Sequence, residues 1–192
     1  AAVFDTAILG SNPSAPATIM LDISFNFIKK IKRNLFPFYK NKELKFVFNK
    51  IQEGFSADII TARFVGGCVR KYLSNEKIDD IDIATVLSTD QIKEKFKNTK
   101  FKVVETGAKH GTVTLVSNNY KLELTTLRKD IKTDGRHAEV EYIDDWQLDS
   151  ERRDFTINAI YLDIKGKILD PQMGTVDLKN NNVKFIGDPQ KR

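Results

Sequence analysis

The chain has 192 residues, of which 41% are hydrophobic and 30% are charged, and its formal net charge is +5. This hydrophobic content is enough for an ordinary core and excludes a wholly disordered chain, while the length suits one domain with at most a small appendage. No apolar run approaches the roughly 18 residues needed to span a bilayer, so we expect a soluble protein with no membrane partner. The single cysteine, Cys68, excludes an internal disulfide and favours a reducing compartment. We expect a cytoplasmic protein, with a mitochondrial location as the alternative.

The first part of the chain divides into two segments. Residues 1–19 are rich in Ala, Ser and Pro without periodicity, and we interpret them as a flexible leader or a cloning remnant. Residues 20–58 form a basic, helical N-terminal segment in which apolar spacing predicts a helix over 24–36. Basic and aromatic residues alternate from Lys29 to Lys50, which is typical of a nucleic-acid-facing arm. Amphipathic helices with solvated lysines explain the same pattern, and we favour that explanation.

Residues 59–192 alternate short apolar runs with helical patterns and predict an α+β domain, a small mixed or antiparallel sheet flanked by helices. The predicted strands are Ala62–Val65, Asp80–Ala84, Phe101–Glu105, Thr112–Val116, Tyr120–Leu127, and a hairpin of Ile160–Ile164 with Ile168–Asp170. A helical turn follows Gly67, and Thr89 is predicted to cap a second helix. The polar stretch 128–140 is predicted to be a flexible loop.

Asp80 and Asp82 are the first candidate functional pair. Side chains alternate along a strand, so both aspartates are expected to project to the same side of the sheet. Two carboxylates at this spacing can hold one or two Mg²⁺ ions, because Mg²⁺ binds a few carboxylate oxygens together with substrate phosphates. A solvated strand face explains most such pairs equally well.

Glycine and arginine follow the first strand. Gly66 and Gly67 lack a Cβ, so a phosphate could approach the backbone between this strand and the next helix. Arg70 lies one turn later, where its guanidinium could reach a triphosphate oxygen. A tight strand-to-helix turn would also require glycine, and it is the alternative explanation.

Glu123 is a candidate third carboxylate. It alternates with Leu122 and Leu124, so it faces away from the core. If its strand neighbours Asp80–Ala84, the three acids form a cluster suited to two-metal phosphoryl transfer. An exposed strand glutamate is the alternative.

An arginine pair marks the last candidate element. Arg152 and Arg153 are adjacent in a chain that prefers lysine, which suggests that bidentate geometry is needed. Asp154 and Asn158 could hydrogen-bond to a ribose. The alternative is a surface helix with ion pairs.

These motifs together resemble the class II tRNA nucleotidyltransferase and bacterial poly(A) polymerase family. The stretches that carry the resemblance are Phe64-Val65-Gly66-Gly67-Cys68-Val69-Arg70, Asp80-Ile81-Asp82-Ile83-Ala84-Thr85, Lys109-His110-Gly111-Thr112, Leu124-Thr125-Thr126-Leu127-Arg128, and Arg152-Arg153-Asp154-Phe155-Thr156-Ile157-Asn158-Ala159. Asp170-Pro171, Gly174 and Asp177-Leu178 resemble the segment that closes the head domain of that family. The similarity covers about residues 60–190 and implies a polymerase-β-like nucleotidyltransferase head.

The resemblance also implies roles for individual residues. Asp80 and Asp82 would hold the metal ions in a two-metal Mg²⁺ site, and Glu123 would be a third catalytic acid. The implied nucleotide-binding residues are Gly66, Gly67, Arg70, Arg152, Arg153, Asp154 and Asn158. Within that set, Asp154 and Asn158 would read the ribose and favour NTP over dNTP. Arg128, Asp130 and Arg136 would lie in the flexible loop of the family, which is linked to the switch from C to A addition.

The chain departs from the family pattern at two places. Lys71 stands where the family usually has aspartate, which could weaken an ion pair or alter the phosphate pocket. The chain also stops at Arg192, before the Glu-Asp-x-x-Arg template with which the family recognises the base of CTP or ATP. We therefore expect these 192 residues alone to select bases poorly, unless a separate chain or a further C-terminal region supplies the template and the tRNA-binding body.

The resemblance implies a metal-dependent enzyme that adds C and A from CTP and ATP to the 3′ end of tRNA. A poly(A) polymerase, or a relative that adds only CC or only A, is an alternative with the same head motifs and another RNA 3′ end as substrate. A nucleotide- or RNA-binding module without catalysis is an alternative from a different class.

Overall fold

The computed structural model describes residues 37–107, 111–133 and 138–189. The leader predicted over 1–19 and the helix predicted over 24–36 lie outside these residues. The strands are β1 (Ala62–Val65), β2 (Ile81–Thr85), β3 (Lys102–Gly107), β4 (Thr112–Val116), β5 (Lys121–Thr126), β6 (Arg128–Thr133), β7 (Ala138–Tyr142), β8 (Tyr161–Leu162) and β9 (Ile168–Leu169). The helices are α1 (Lys42–Gln52), α2 (Gly67–Leu73), α3 (Thr89–Phe96), α4 (Trp146–Glu151) and α5 (Gly174–Lys179), with 3₁₀ turns at Phe38–Lys40 and Thr156–Asn158. No helix in this part of the chain is both long and apolar enough to cross a membrane.

The main sheet confirms the predicted α+β class. Its strand order is β3-β4-β5-β2-β1-β8-β9, and β6 pairs with β7 in a separate two-stranded sheet. β2 and β5 pair in parallel, whereas the other neighbouring strands pair in antiparallel fashion. The strand that carries Asp82 therefore lies beside the strand that carries Glu123.

The alternation of side chains gives the main sheet one face that carries the main core and a second, mixed face, where acidic residues lie beside a small apolar cluster that includes Val65 and Tyr161. Phe64, Ile83 and Leu124 are fully buried on the face of the main core, where α1 to α3 pack. α1 contributes Leu44, Val47, Phe48 and Ile51 to this core, at the spacing of one helix face. The predicted boundary between residues 58 and 59 stays a prediction, although α1 packs into the core of the domain that follows it.

The cap of α3 is one residue earlier than predicted. Ser88, not Thr89, is the N-cap, and its hydroxyl accepts a hydrogen bond from the Gln91 amide, while the Gln91 side chain accepts one from the Ser88 amide. Ser88 has the extended backbone that a capping residue needs, whereas Thr89 is already helical.

The flexible loop predicted over 128–140 is wrong for the residues described. Arg128–Thr133 and Ala138–Tyr142 form the β6–β7 hairpin, with Arg128 opposite Tyr142. A cross-strand ion pair joins Lys129 and Glu141 at 3.1 Å. Asp130, Ile131, Glu141 and Tyr142 are exposed. β6 lacks the polar–apolar alternation that identifies a strand with one buried face, although β7 does alternate over Ala138–Tyr142.

The C-terminal hairpin forms where it was predicted but is shorter. Its strands are two residues each, because the Asp163 carboxylate accepts hydrogen bonds from the amides of Lys165 and Lys167, both at 2.8 Å, and closes the turn early. The tight turn predicted at Asn118-Asn119 is confirmed by the Ser117 amide, which donates to the Tyr120 carbonyl at 2.8 Å.

Candidate functional site

Asp82 and Glu123 lie on the mixed face of the sheet, opposite the main core. Asp82 and Glu123 are direct partners in the parallel β2–β5 pair, so the condition on which the cluster of carboxylates depended is met. Asp80 is exposed and immediately precedes β2, so it lies outside the strand that was expected to begin with it. Two of the three candidate acids are thus held by strand register, and the third lies at the entrance to the strand.

The surroundings of Asp82 are electrostatically unfavourable for its charge. Burial raises the pKa of Asp82, and the negative charges of Glu123 and Asp80 raise it further, while Arg153 opposes them. Among the described residues no three His, Cys, Asp or Glu side chains converge into a ready metal site. Mg²⁺ needs only one or two carboxylates, since it keeps waters and binds substrate phosphates. A partly buried acid beside further acids fits that requirement.

Gly66 and Gly67 shape the approach to Asp82. Gly66 has a φ of +74°, a conformation that L residues rarely adopt, and a Cβ there would lie 3.3 Å from Asp82 Oδ2. A Cβ on Gly67 would meet nothing within 4 Å, so this backbone faces open space. The first glycine is required by the turn and by the carboxylate, and the second leaves room for a ligand.

Arg70 and Asn158 meet across the site. The Arg70 Nη1 donates a hydrogen bond to Asn158 Oδ1, and the pair is partly buried. Because a guanidinium has only donors, the amide of Asn158 must turn its oxygen to Arg70 and keep its NH₂ group for another partner. Two predicted nucleotide-binding residues are therefore joined.

The arginine pair is anchored by a buried carboxylate that the sequence did not single out. The Asp149 side chain is fully buried and forms ion pairs with Arg152 at 2.8 Å and with Arg153 at 3.0 Å. The Tyr161 hydroxyl donates to Asp149 Oδ2 at 2.7 Å and accepts from Arg153 Nε at 3.1 Å. The alternative of a surface helix with ion pairs is therefore wrong in one respect, because the carboxylate that pairs with both arginines is buried. The available signal was the spacing of Asp149 three and four residues before the arginines.

Asp154 precedes, and Asn158 ends, a 3₁₀ turn that the C-terminal segment holds in place. Asp154 is exposed, and its carbonyl accepts a hydrogen bond from the Ile186 amide at 2.9 Å. The hydroxyl of Thr156, within the turn, donates to Asp177 at 2.7 Å. The motif at Asp170–Leu178 therefore supports the residues predicted to read a ribose.

Lys71 forms an ion pair in place of the expected aspartate contact. Its Nζ lies 3.0 Å from Asp79 Oδ2, on the loop that leads into β2. The substitution therefore ties α2 to this loop rather than leaving a charge without a counter-ion. Both side chains are partly exposed, so the pair adds little to stability.

The residues predicted for the flexible loop are only partly described. Arg128 and Asp130 lie in β6, and the Arg128 amide donates to Asp149 Oδ1 at 3.2 Å. Arg136 lies outside the described residues. The base of the hairpin is thereby connected to the carboxylate that holds Arg153.

The arrangement can bind an anionic ligand beside a cation. Arg153 is largely buried and is close enough to Asp82 to lower the pKa of that carboxylate. The open backbone at Gly67 lies at the start of α2, just after β1. Such a combination suits a nucleoside triphosphate with a divalent metal ion.

Comparison with known proteins gives a consistent match. Residues 62–184 match the family model described as the poly A polymerase head domain. The chain is 40% identical over 158 residues to the mitochondrial CCA tRNA nucleotidyltransferase 1 of Danio rerio, covering 80% of this chain and 37% of that protein. It is 39% identical over 133 residues to the CCA-adding enzyme of Lactobacillus helveticus, covering 68% of this chain and 32% of that one.

A solved structure gives the same match. The Bacillus stearothermophilus CCA-adding enzyme in complex with CTP superposes with a TM-score of 0.66 and 32% identity, over 80% of this chain and 35% of that chain. The chain thus spans less than two fifths of the length of each of these three proteins.

Proposed function

Because the chain belongs to the poly(A) polymerase head-domain family, we propose that it is the catalytic head of a metal-dependent RNA nucleotidyltransferase. It adds C and A to the 3′ end of tRNA from CTP and ATP and releases pyrophosphate. The observation that carries this proposal is the pairing of Asp82 with Glu123 on adjacent strands, next to the buried guanidinium of Arg153. The names of the Danio rerio and Lactobacillus helveticus relatives support the choice of CCA addition.

Asp80 and Asp82 are the proposed Mg²⁺ ligands, and Glu123 adds negative charge beside them. When bound, two metal ions would activate the attacking hydroxyl and neutralise charge on the departing pyrophosphate. The residues themselves supply a partly desolvated acidic patch, in which burial and the neighbouring acids raise the pKa of Asp82 and a bound cation would favour its charged form.

The nucleotide is proposed to lie between the glycine turn and the arginine pair. Gly67 leaves space for phosphate oxygens beside the backbone. Arg153 is held by Asp149 and Tyr161, so its guanidinium is already oriented when an anion arrives. Preorganisation of this kind reduces the entropy lost on binding.

Asp154 and Asn158 are proposed to recognise the ribose with complementary groups. The Asn158 oxygen faces Arg70, so its NH₂ group can donate to a hydroxyl oxygen. The exposed Asp154 carboxylate can accept the hydrogen of a hydroxyl. A deoxyribose lacks one of these hydroxyls, which would favour NTP over dNTP.

The test is nucleotide transfer with radiolabelled CTP and ATP, Mg²⁺, and a tRNA that lacks its CCA end. Wild type is expected to label the tRNA, and Asp82→Ala is expected to lose about 100-fold or more of this activity, comparable to losing a key electrostatic group. Asp90→Ala, at an exposed acid of α3, is the matched control and should retain activity. Full activity of Asp82→Ala would refute the mechanism.

The same assay separates the alternatives. Long A tails on an unrelated oligonucleotide would indicate a poly(A) polymerase, which the description of the family model also names. ATP binding without any pyrophosphate release would indicate a binding module without catalysis.

The proposal extends to base choice and location. Base choice between CTP and ATP is proposed to depend on residues beyond these 192, in a C-terminal region or a separate chain that also holds the tRNA. The Danio rerio relative is named as mitochondrial, which supports a mitochondrial location beside the cytoplasmic one expected from the sequence. Imaging a tagged copy in the source cells would decide between the two.

A further inference from the structure

Asp149 lies outside every motif that carries the family resemblance, yet its carboxylate accepts hydrogen bonds from residues in separate parts of the chain. Its Oδ1 accepts hydrogen bonds from Arg152 at 2.8 and 2.9 Å and from the Arg128 amide at 3.2 Å. Its Oδ2 accepts from Arg153 at 3.0 and 3.3 Å and from the Tyr161 hydroxyl at 2.7 Å. The carboxylate therefore contacts the β6–β7 hairpin through Oδ1, and Arg153 and Tyr161 through Oδ2.

The charge balance shows why this carboxylate must stay ionised. Burial raises the pKa of Asp149, but the two guanidiniums of Arg153 and Arg152 outweigh burial and hold the pKa below its usual range. A neutral group at this position would leave two largely buried arginines without their counter-ion, which is costly in a protein interior.

The Oδ1 side leads to the base of the β6–β7 hairpin. Arg128 is the first residue of β6, and the preceding residue, Leu127, donates its amide to the Thr85 carbonyl at 2.8 Å. Ile143, just after β7, donates its amide to the Leu127 carbonyl at 3.0 Å. The hairpin is thus fixed at its base to the end of β2 and to Asp149.

The Oδ2 side leads to Asp82. Arg153 is close enough to lower the pKa of Asp82 against the effects of burial and of the neighbouring acids. Tyr161 packs against Arg153, with the guanidinium carbon 5.2 Å from the ring centre. A change in the orientation of Arg153 must therefore alter the hydrogen bonds on Asp149.

We propose that Asp149 is a positioning residue that couples the β6–β7 hairpin to the nucleotide-binding arginine Arg153. The coupling rests on the proposed function, since it assumes that Arg153 contacts the nucleotide. Binding at Arg153 fixes the Asp149 carboxylate and with it the base of the hairpin, and by thermodynamic reciprocity an ordered hairpin increases nucleotide affinity.

The test compares Asp149→Asn with Asp145→Asn in the 192-residue chain. Asp145 caps α4 and is exposed, and asparagine is an equally good cap, so Asp145→Asn is the matched control. The measurements are hydrogen exchange of 128–133 and 138–142 and the affinity for ATP with Mg²⁺. Thermal melting and exchange in β5 verify that each variant is folded.

In wild type and in Asp145→Asn, saturating ATP with Mg²⁺ is expected to slow exchange of the hairpin. In Asp149→Asn without ligand, hairpin exchange is expected to rise about tenfold and ATP affinity to fall about tenfold, the size of one lost charged hydrogen bond. Saturating ATP should then no longer protect the hairpin. Protection equal to that of wild type would overturn the proposal.

A milder variant keeps the test decisive if Asp149→Asn does not fold. Tyr161→Phe removes one donor from Oδ2 and leaves both arginines, so it should reduce the protection of the hairpin by ATP; undiminished protection would overturn the coupling. If wild type binds no ATP, the proposed function fails. Hydrogen exchange of the β6–β7 hairpin without ligand would still test whether Asp149 anchors the base of the hairpin. Equal exchange in Asp149→Asn and Asp145→Asn would refute that anchoring role.

Discussion

Asp82 shows at the scale of one residue how a charge proposed to bind metal opposes stability. Its carboxylate is partly buried beside Glu123 and Asp80, and these surroundings favour the neutral form. Gly66 leaves just enough space for it, since a Cβ there would lie 3.3 Å from Oδ2. Such repulsion between carboxylates is common at sites that bind a cation, because it destabilises the protein as long as no cation is bound.

Removing this charge should therefore stabilise the apo protein. Asp82→Asn is expected to raise stability by about 0.5–1 kcal/mol, or roughly 1–4 °C in Tm for a chain of this size. The measurement is thermal unfolding in the presence of EDTA, with Asp90→Asn as the exposed control. Added Mg²⁺ should raise the Tm of wild type but not that of Asp82→Asn. A lower Tm for Asp82→Asn in EDTA would contradict the prediction.

The turn at Thr156–Asn158 shows at the scale of an element how the C-terminal motif serves the site. Gly174 begins α5 beside this turn, and a Cβ on Gly174 would lie 2.1 Å from the Thr156 carbonyl oxygen. Asp170 accepts hydrogen bonds from the Gly174 amide at 2.8 Å and the Thr175 amide at 2.9 Å, which fixes the start of the helix. The close packing of α5 therefore holds Asn158 in position.

Gly174→Ala should disturb both stability and binding. The added methyl group must displace the Thr156 backbone, at a cost of about 1–3 kcal/mol for overpacking. Nucleotide affinity should fall as well, because Asn158 lies in the same turn. Urea unfolding and ATP titration measure the two effects, and Val176→Ala, at an exposed position of α5, is the control. Unchanged stability and affinity would show that the turn adapts freely.

Some elements could be predicted from the sequence because their signals are local. The glycine turn at Gly66 and the alternating strand around Asp82 follow from backbone freedom and side-chain period. The β6–β7 hairpin was not predicted because β6 has no period of two and the stretch 128–140 is polar as a whole, although β7 does alternate. The role of Asp149 was missed because aspartate is rarely buried, and only the tertiary meeting of α4, β6 and β8 shows its partners.

At the scale of the whole molecule, the residues proposed to bind the nucleotide include no group assigned to read its base. We expect the polypeptide of residues 1–192 to transfer C and A to tRNA at rates within about tenfold of each other, since discrimination needs contacts that differ between the two bases. Single-turnover assays with each nucleotide measure this ratio, and the CCA-adding enzyme of Lactobacillus helveticus is the reference. Ordered and complete C-C-A addition by residues 1–192 would contradict the expectation.

The contact between Arg70 and Asn158 has a consequence for how the protein folds. The two residues are 88 positions apart in the chain, and the parallel β2–β5 pair also joins strands separated by α3, β3 and β4. Long-range contacts form late, because closing a long loop costs entropy before the contact can offset it. A partly folded chain would therefore lack the proposed nucleotide pocket. Conversely, any nucleotide that binds the finished fold stabilises the chain against global unfolding, and ATP should slow proteolysis at sites remote from the pocket.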